Sequence, residues 1–206
     1  MLTKLKGAIL LATNNRGKLL ELQQLLSDWE NVQLLSPKMV GIDLDVAETG
    51  STYRENATLK AKAFARESGL LTLADDSGLE VDALDGAPGI HSKRYSPQPG
   101  ATDADRRALL IANLQGNPTP WTARFRAGVA ICTPEGAVQT EDGKCEGEII
   151  AEERGTNGFG YDPIFYFPPL GHTMAELTDE EKNGVSHRGN AVRAAIPLLV
   201  ELLREE

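Results

Sequence analysis

The chain has 206 residues, 41% hydrophobic and 25% charged, a globular composition far from that of disorder and a length suited to one domain, 1–206. Lys plus Arg number 21 against 30 Asp plus Glu, for a net charge of −9, which argues against a nucleic-acid binder with a broad basic face and against a polybasic membrane anchor. Any anionic ligand must then be met by local cations or a metal ion rather than by the field of the whole protein.

At the start, Met1-Leu2-Thr3-Lys4-Leu5-Lys6 precedes an apolar run that stops at Thr13, too short for a signal segment. No stretch approaches the roughly 20 apolar residues of a spanning helix. Cys132 and Cys145 are too far apart for a CxxC site and suggest no disulfide framework. The expected location is the cytoplasm.

Gly7 to Ala12 reads as a strand buried on both faces. After Thr13 to Gly17, the residues Leu19, Leu22, Leu25, Leu26 and Trp29 recur at helical spacing. Val32 to Leu35 is a second strand, and Pro37 to Gly50 a loop. Thr52 and Glu55 fit a capping box and Gly69 a helix terminus, so the spacing predicts a helix over 53–68. Tyr53, Asn56, Lys60 and Phe64 share one face of it. Leu70 to Ala74 is a strand running into Asp75-Asp76-Ser77-Gly78.

Asp85 to Gly100, with three Gly and three Pro, reads as a loop or lid. Thr102 opens a helix ending near Gly116. Alternation from Thr122 to Cys132 predicts a half-exposed strand, and turn signals at Pro134-Glu135-Gly136 and Glu141-Asp142-Gly143 predict an antiparallel meander to Ile150. A Gly-rich loop, 155–160, precedes a short aromatic strand over 164–167. Lys182 and Ser186-His187-Arg188-Gly189 open a final helix that Pro197 kinks. Helices interleaved with strands around an antiparallel insert imply an α/β fold with a mixed sheet.

Several segments bear chemistry. Thr13-Asn14-Asn15-Arg16-Gly17-Lys18, between a strand and a helix, offers backbone amides, a helix N-terminus and a lysine to a phosphate; the alternative is an N-cap with a surface lysine. Adjacent carboxylates Asp75 and Asp76 after an apolar strand call for a compensating cation. Mg2+ suits them, because it takes one or two carboxylates and fills its other positions with water and phosphate oxygens; the alternative is an ordinary Asp-Ser-Gly turn. Glu48 is a possible third ligand or only a surface acid. Gly158-Phe159-Gly160-Tyr161-Asp162 suits stacking on a base, or is a glycine-rich turn with core aromatics. Together these describe a site for a nucleoside polyphosphate.

In order along the chain, Leu11 to Lys18, Glu55 to Ala57 with Leu59 to Ala63, Ala74 to Leu79, Gly86 to Ile90, Gly158 to Pro163 and Ser186 to Gly189 resemble the inosine triphosphate pyrophosphatases. The resemblance implies an elongated, two-lobed α/β domain with a twisted mixed central sheet, flanking helices and an active-site cleft between the lobes. It also implies a homodimer and Mg2+-dependent cleavage of non-standard purine nucleoside triphosphates (ITP, dITP, XTP) between the α- and β-phosphates. By that resemblance Thr13, Asn14, Asn15, Arg16, Gly17, Lys18 and Lys60 hold the triphosphate. Asp76 is metal ligand and proton acceptor, Asp75 and Glu48 assist the metal, and Ser77 contacts substrate. Phe159, Gly160, Tyr161, Asp162, Lys182, His187 and Arg188 recognise base and sugar, so Arg188→Ala is expected to raise KM more than it changes stability. Asn14 stands where many members carry glycine, which raises the question of a glycine-only backbone angle there. Competing readings are a pyrophosphatase for a standard or modified pyrimidine nucleotide, and a nucleotide-binding regulator without turnover.

Overall fold

In the computed structural model residues 5–204 are described; Met1–Lys4, from the stretch that precedes the short apolar run, lie outside them. The chain divides into two compact units, Met1–Asp76 with Ala127–Gly143 and Arg188–Glu206, and Ser77–Arg126 with Lys144–His187. The elements are β1 (Gly7–Leu11), α1 (Arg16–Leu25), β2 (Val32–Leu35), α2 (Tyr53–Ser68), β3 (Leu71–Val81), α3 (Asp103–Leu114), β4 (Trp121–Cys132), β5 (Val138–Ile149), β6 (Phe165–Phe167), β7 (His172–Thr173), α4 (Asp179–Val185) and α5 (His187–Leu202). The strands join in the order β2-β1-β3-β4-β5-β6-β7, parallel at β1–β2 and β1–β3 and antiparallel at β5–β6 and β6–β7. The sheet is mixed, as expected.

The first unit follows from strand alternation. In β1, Ile9 and Leu11 pack with Leu22 and Leu26 of the α1 segment and with Ala191, Val192, Ala195 and Leu199 of α5. The intervening Leu10 and the following Ala12 pack instead with Ala57, Ala61, Phe64 and Ala65 of α2. Successive residues of a strand point to opposite faces, so α1 and α5 cover one face and α2 the other. The order β2-β1-β3 reverses direction at β1, and right-handed crossovers then place α1 and α2 on opposite faces. Ligands in such sheets bind beyond the carboxyl ends of the strands at this reversal, where β1 delivers Thr13 to Lys18.

Helix α2 occupies the expected residues, with the Thr52 side chain accepting from the Glu55 amide and Gly69 closing the end. Helix α1 is shorter than its apolar spacing: the Ser27 amide and hydroxyl both donate to the Gln24 carbonyl, ending the helix while Leu26 and Trp29 stay buried. A short 3-10 turn, Pro37–Val40, interrupts the expected loop.

The second unit has its own core, in which Leu79 and Val81 of β3, Leu110 and Leu114 of α3, Trp121, Phe125, Tyr161, Ile164 and Phe165 are buried. Helix α3 starts in a full capping box between Thr102 and Asp105. The expected lid, Asp85 to Gly100, holds one 3-10 turn, Gly89–Arg94, and another, Asp82–Leu84, immediately precedes it. Two expectations are corrected. The turn signal at Glu141-Asp142-Gly143 does not break β5, because strand pairing outweighs local turn propensity. Lys182 belongs to a separate helix, α4, capped by Thr178, rather than to the start of the final helix. Pro197 lies inside α5. No helix among the described residues is long and apolar enough to cross a membrane.

Candidate active site

Asp75 and Asp76 are not in a turn. Strand β3 continues through both to Val81, and its alternation separates them. Asp75 shares parity with Leu71 and Leu73, which face α1 and α5; Asp76 shares parity with Ala74, which faces α2. Each acid therefore meets a different set of partners.

On the first face, Asp75 Oδ2 lies 3.1 Å from Lys18 Nζ and accepts from Arg188 Nε at 2.9 Å. Arg188 Nη1 donates to Glu21. The Asp75 side chain is 0% exposed and that of Arg188 1%. Burial alone would raise the Asp75 carboxyl, but Arg188, Lys18 and Lys60 outweigh it and hold Asp75 far below the usual carboxylate range. Burial opposes the Arg188 charge, which Asp75 and Glu21 more than restore, so its proton is held still more tightly. Lys18 goes the other way: burial lowers it despite Asp75, with Lys60 and Arg188 adding to the fall.

On the second face, Asp76 Oδ2 accepts from Asn56 Nδ2 at 3.1 Å and Oδ1 from Lys60 Nζ at 3.3 Å. The same ammonium donates to Glu48 Oε1 at 2.9 Å. Burial pushes the Asp76 carboxyl up; Lys60 and Lys18 pull it down, Glu48 adds to the rise, and the net effect is upward. Burial would lower Lys60, but Asp76, Asp75 and Glu48 reverse the sign and raise it. Asn56 is fully buried and also accepts from the Gly50 amide at 2.8 Å, tying the segment that carries Glu48 to Asp76. A Cβ at Gly50 would stand 2.6 Å from Glu55 Cβ and 2.8 Å from Asn56 Oδ1, so this close approach requires glycine.

Two carboxylates converging on one ammonium suit a divalent cation completed by water and phosphate oxygens, the coordination Mg2+ accepts. Among the described residues no group of three or more His, Cys, Asp or Glu gathers as a metal site. Asp75, expected to assist the metal, commits Oδ2 to Lys18 and Arg188, and its Oδ1 is buried without a hydrogen-bond partner.

The loop after β1 leads into the N-terminus of α1. The Asn15 side chain caps the helix by accepting from the Lys18 amide at 3.0 Å, and Thr13 Oγ1 accepts from the Asn15 amide at 3.2 Å. Arg16 and Gly17 form the first turn. Asn14 donates to the Leu44 carbonyl at 3.2 Å. Among the described residues Asp85 is the one non-glycine residue with positive φ, so Asn14 sits in ordinary backbone and the glycine-only angle is not needed.

The second unit holds a separate polar group. Lys182 Nζ donates to Asp162 Oδ2 at 2.6 Å and stands 4.9 Å from the centroid of the Phe159 ring. The Phe159 amide donates to the same Asp162 oxygen at 2.8 Å. Gly158, at φ +73°, would place a Cβ 2.2 Å from that oxygen. The His187 ring stacks on Phe125 at 4.7 Å. Tyr161 was expected at the base, but it is buried in the core and its hydroxyl donates to the Ser92 carbonyl at 2.9 Å. Ser77 is half-buried on β3.

Sequence reasoning missed Glu21 and Asn56. Glu21 follows Lys18 by one helical turn, beside the apolar stripe of α1, and Asn56 lies on the recognised face of α2. Each was visible as a polar residue on a buried face, without a spacing that named its partner.

The sequence matches the Ham1 family over residues 9–198. It is 47% identical over 195 residues to a protein of Desulforamulus reducens named dITP/XTP pyrophosphatase, covering 94% of this chain and 96% of that one. A Nostoc protein of the same name is 45% identical, with 95% of each chain covered. The solved structure of a HAM1 protein from Coxiella burnetii superposes with a TM-score of 0.83 at 43% identity, covering 94% of this chain and 98% of that one.

Proposed function

The chain belongs to the Ham1 family, and from that membership we propose that it is a Mg2+-dependent pyrophosphohydrolase. Its substrates are non-standard purine nucleoside triphosphates (ITP, dITP, XTP), cut between the α- and β-phosphates to the monophosphate and pyrophosphate and so removed from the nucleotide pool. The observation that carries this reading is the Lys60 ammonium held between Glu48 and Asp76, with Lys18 on Asp75 close by along β3. Alternating charges of this kind suit a polyphosphate with its cation, whereas two adjacent acids would only repel a polyanion bound alone.

Water attack on phosphorus needs in-line placement, charge neutralisation and a base, with little covalent work for the protein. Lys18, Lys60 and the amides opening α1 hold the phosphate oxygens. Asp76 orients the attacking water and takes its proton. Glu48 and Asp76 would hold Mg2+, which supplies neutralisation of charge on the phosphate oxygens when bound. Asp75 keeps Lys18 in place, and Arg188 keeps Asp75. Lys182, Asp162, Phe159 and His187 read the base. Adenine's amino group would set a donor against the Lys182 ammonium where a 6-oxo group accepts from it, the kind of mismatch that polar sites reject strongly. The reading includes a homodimer acting in the cytoplasm.

Pyrophosphate release from inosine, xanthosine, guanosine and adenosine triphosphates, with and without Mg2+, tests it. Metal-dependent release from the inosine and xanthosine substrates is expected, abolished in Asp76→Asn with the fold intact. Equal hydrolysis of all four refutes base discrimination. Tight binding without hydrolysis makes the protein a nucleotide-binding regulator.

A further inference from the structure

Residues 150–161 form neither helix nor strand, yet they carry Phe159, whose ring must stand at a fixed place to discriminate between bases. Its earlier part is held by backbone hydrogen bonds, from the Arg154 amide to the Pro163 carbonyl and from the Asn157 amide to the Ala175 carbonyl; at Gly160 the hold comes from α3. The Gly160 amide donates to Asp103 Oδ2 at 3.0 Å, and the Gly160 carbonyl accepts from Arg107 Nη1 at 2.8 Å. Both backbone polar groups of one residue are thus taken by side chains four positions apart, which lie on one face of a helix.

The two side chains are themselves held. Arg107 Nε and Nη2 donate to the two carboxylate oxygens of Glu153 at 2.8 and 2.9 Å, a planar two-point contact that leaves Nη1 aimed at the carbonyl. The other oxygen of Asp103 accepts from Arg106 Nη2 at 2.6 Å. On the opposite side of Phe159, its amide is fixed by Asp162, which also holds Lys182. Phe159 therefore stands between two anchors, one at Asp162 and one on α3.

We propose that Arg107, together with Asp103, is a positioning residue for base specificity: it grips the Gly160 peptide and so keeps the Phe159 ring in register with the Lys182 ammonium. The proposal rests on the base-reading role given to Phe159, Asp162 and Lys182. Releasing the grip frees the Gly160 carbonyl, or the Gly160 amide where Asp103 is removed, so the backbone at Gly160 can turn about a Phe159 carbonyl that the Asp162 amide still holds. A base that is rejected because it sets a donor against a positioned ammonium is then rejected less. Selectivity falls further than turnover.

The test compares Arg107→Ala, Arg107→Lys, Asp103→Ala and Glu153→Gln with the wild type. The readouts are kcat and KM for inosine and adenosine triphosphates, calorimetric binding of the same two nucleotides without Mg2+, and a thermal melt. Loss of a charged hydrogen bond predicts that Arg107→Ala raises KM for inosine triphosphate about tenfold, with the inosine-to-adenosine ratio of kcat/KM falling about as much. The ratio of binding affinities falls in parallel, and kcat changes little. Arg107→Lys recovers part of the ratio, since it keeps a charged donor without the fork. Glu153→Gln replaces one of the two acceptor oxygens with an amide donor, loosens the hold on Arg107 and moves the ratio part of the way; a wild-type ratio in this variant counts against the two-point hold. Asp103→Ala moves the ratio the same way and carries the test if Arg107→Ala does not fold. A folded Arg107→Ala with wild-type selectivity overturns the proposal, as does an equal loss for both nucleotides. A wild type that releases no pyrophosphate refutes the proposed function instead, and the binding ratio still decides the grip.

Discussion

Replacing Arg188 with alanine removes the guanidinium that Asp75 and Glu21 share. Asp75 is 0% exposed and Glu21 8% by side chain, so neither carboxylate can turn to water without local opening. Removing one partner from a buried ion pair costs about 3–5 kcal/mol, because a buried charge is left uncompensated. Lys18 stays 3.1 Å from Asp75 and offsets part of the loss there, which places the expectation near the lower end. With an unfolding entropy of about 2.1 cal/mol/K per residue over 206 residues, 3 kcal/mol lowers Tm by roughly 7 °C.

The pH dependence gives the sign. The Asp75 carboxyl is depressed in the folded protein, so its stabilisation is present above the ordinary value of 3.8 and is lost as pH falls through the folded value. The gap between wild type and Arg188→Ala is therefore widest above about pH 4 and narrows in acid. Urea unfolding of both proteins at pH 7 and across the acid range measures it. A variant within about 1 kcal/mol of wild type at pH 7 would refute the reasoning, and so would a gap that stays constant into acid. This reverses the order expected from sequence, in which Arg188→Ala raises KM more than it changes stability.

Asn56→Ala removes the donor to Asp76 and the acceptor for the Gly50 amide; kcat is expected to fall about tenfold or more, and steady-state kinetics beside a thermal melt separate this from unfolding. Gly158→Ala sets a Cβ against Asp162 Oδ2 at a left-handed backbone angle, so KM for inosine triphosphate should rise and stability fall by about 1–2 kcal/mol, measured by kinetics and urea unfolding. Lys60→Met leaves Glu48 and Asp76 facing each other without their shared ammonium. The expected result is a large loss of pyrophosphate release, and an unchanged rate would remove Lys60 from phosphate binding.

Local chemistry determined much by itself. The bounds of α2 were legible because Thr52, Glu55 and Gly69 satisfy the free backbone groups at its two ends. The loop between β1 and α1 was legible because an apolar strand breaks into Thr13-Asn14-Asn15 just before a helical repeat. The mixed α/β class followed from the same interleaving, and the family from six motifs in order.

What only the tertiary structure decided is direction. Asp75-Asp76-Ser77-Gly78 has the composition of a turn, and strand pairing along β3 overrides that preference. Once the segment is a strand, parity sends Asp75 to Lys18 and Arg188, and Asp76 to Asn56 and Lys60. The acids of a turn carry no such parity. Glu21 became a buried partner only because α5 brings Arg188 against α1, a contact between residues 167 positions apart. Asp103 and Arg107, which look like an ordinary charged helix start, became the hold on Gly160 only when a loop more than 50 residues later folded back onto them. Capping and periodicity are satisfied within a few residues and so are written in the sequence. The partner of a buried charge is set by which chain segments the core brings together.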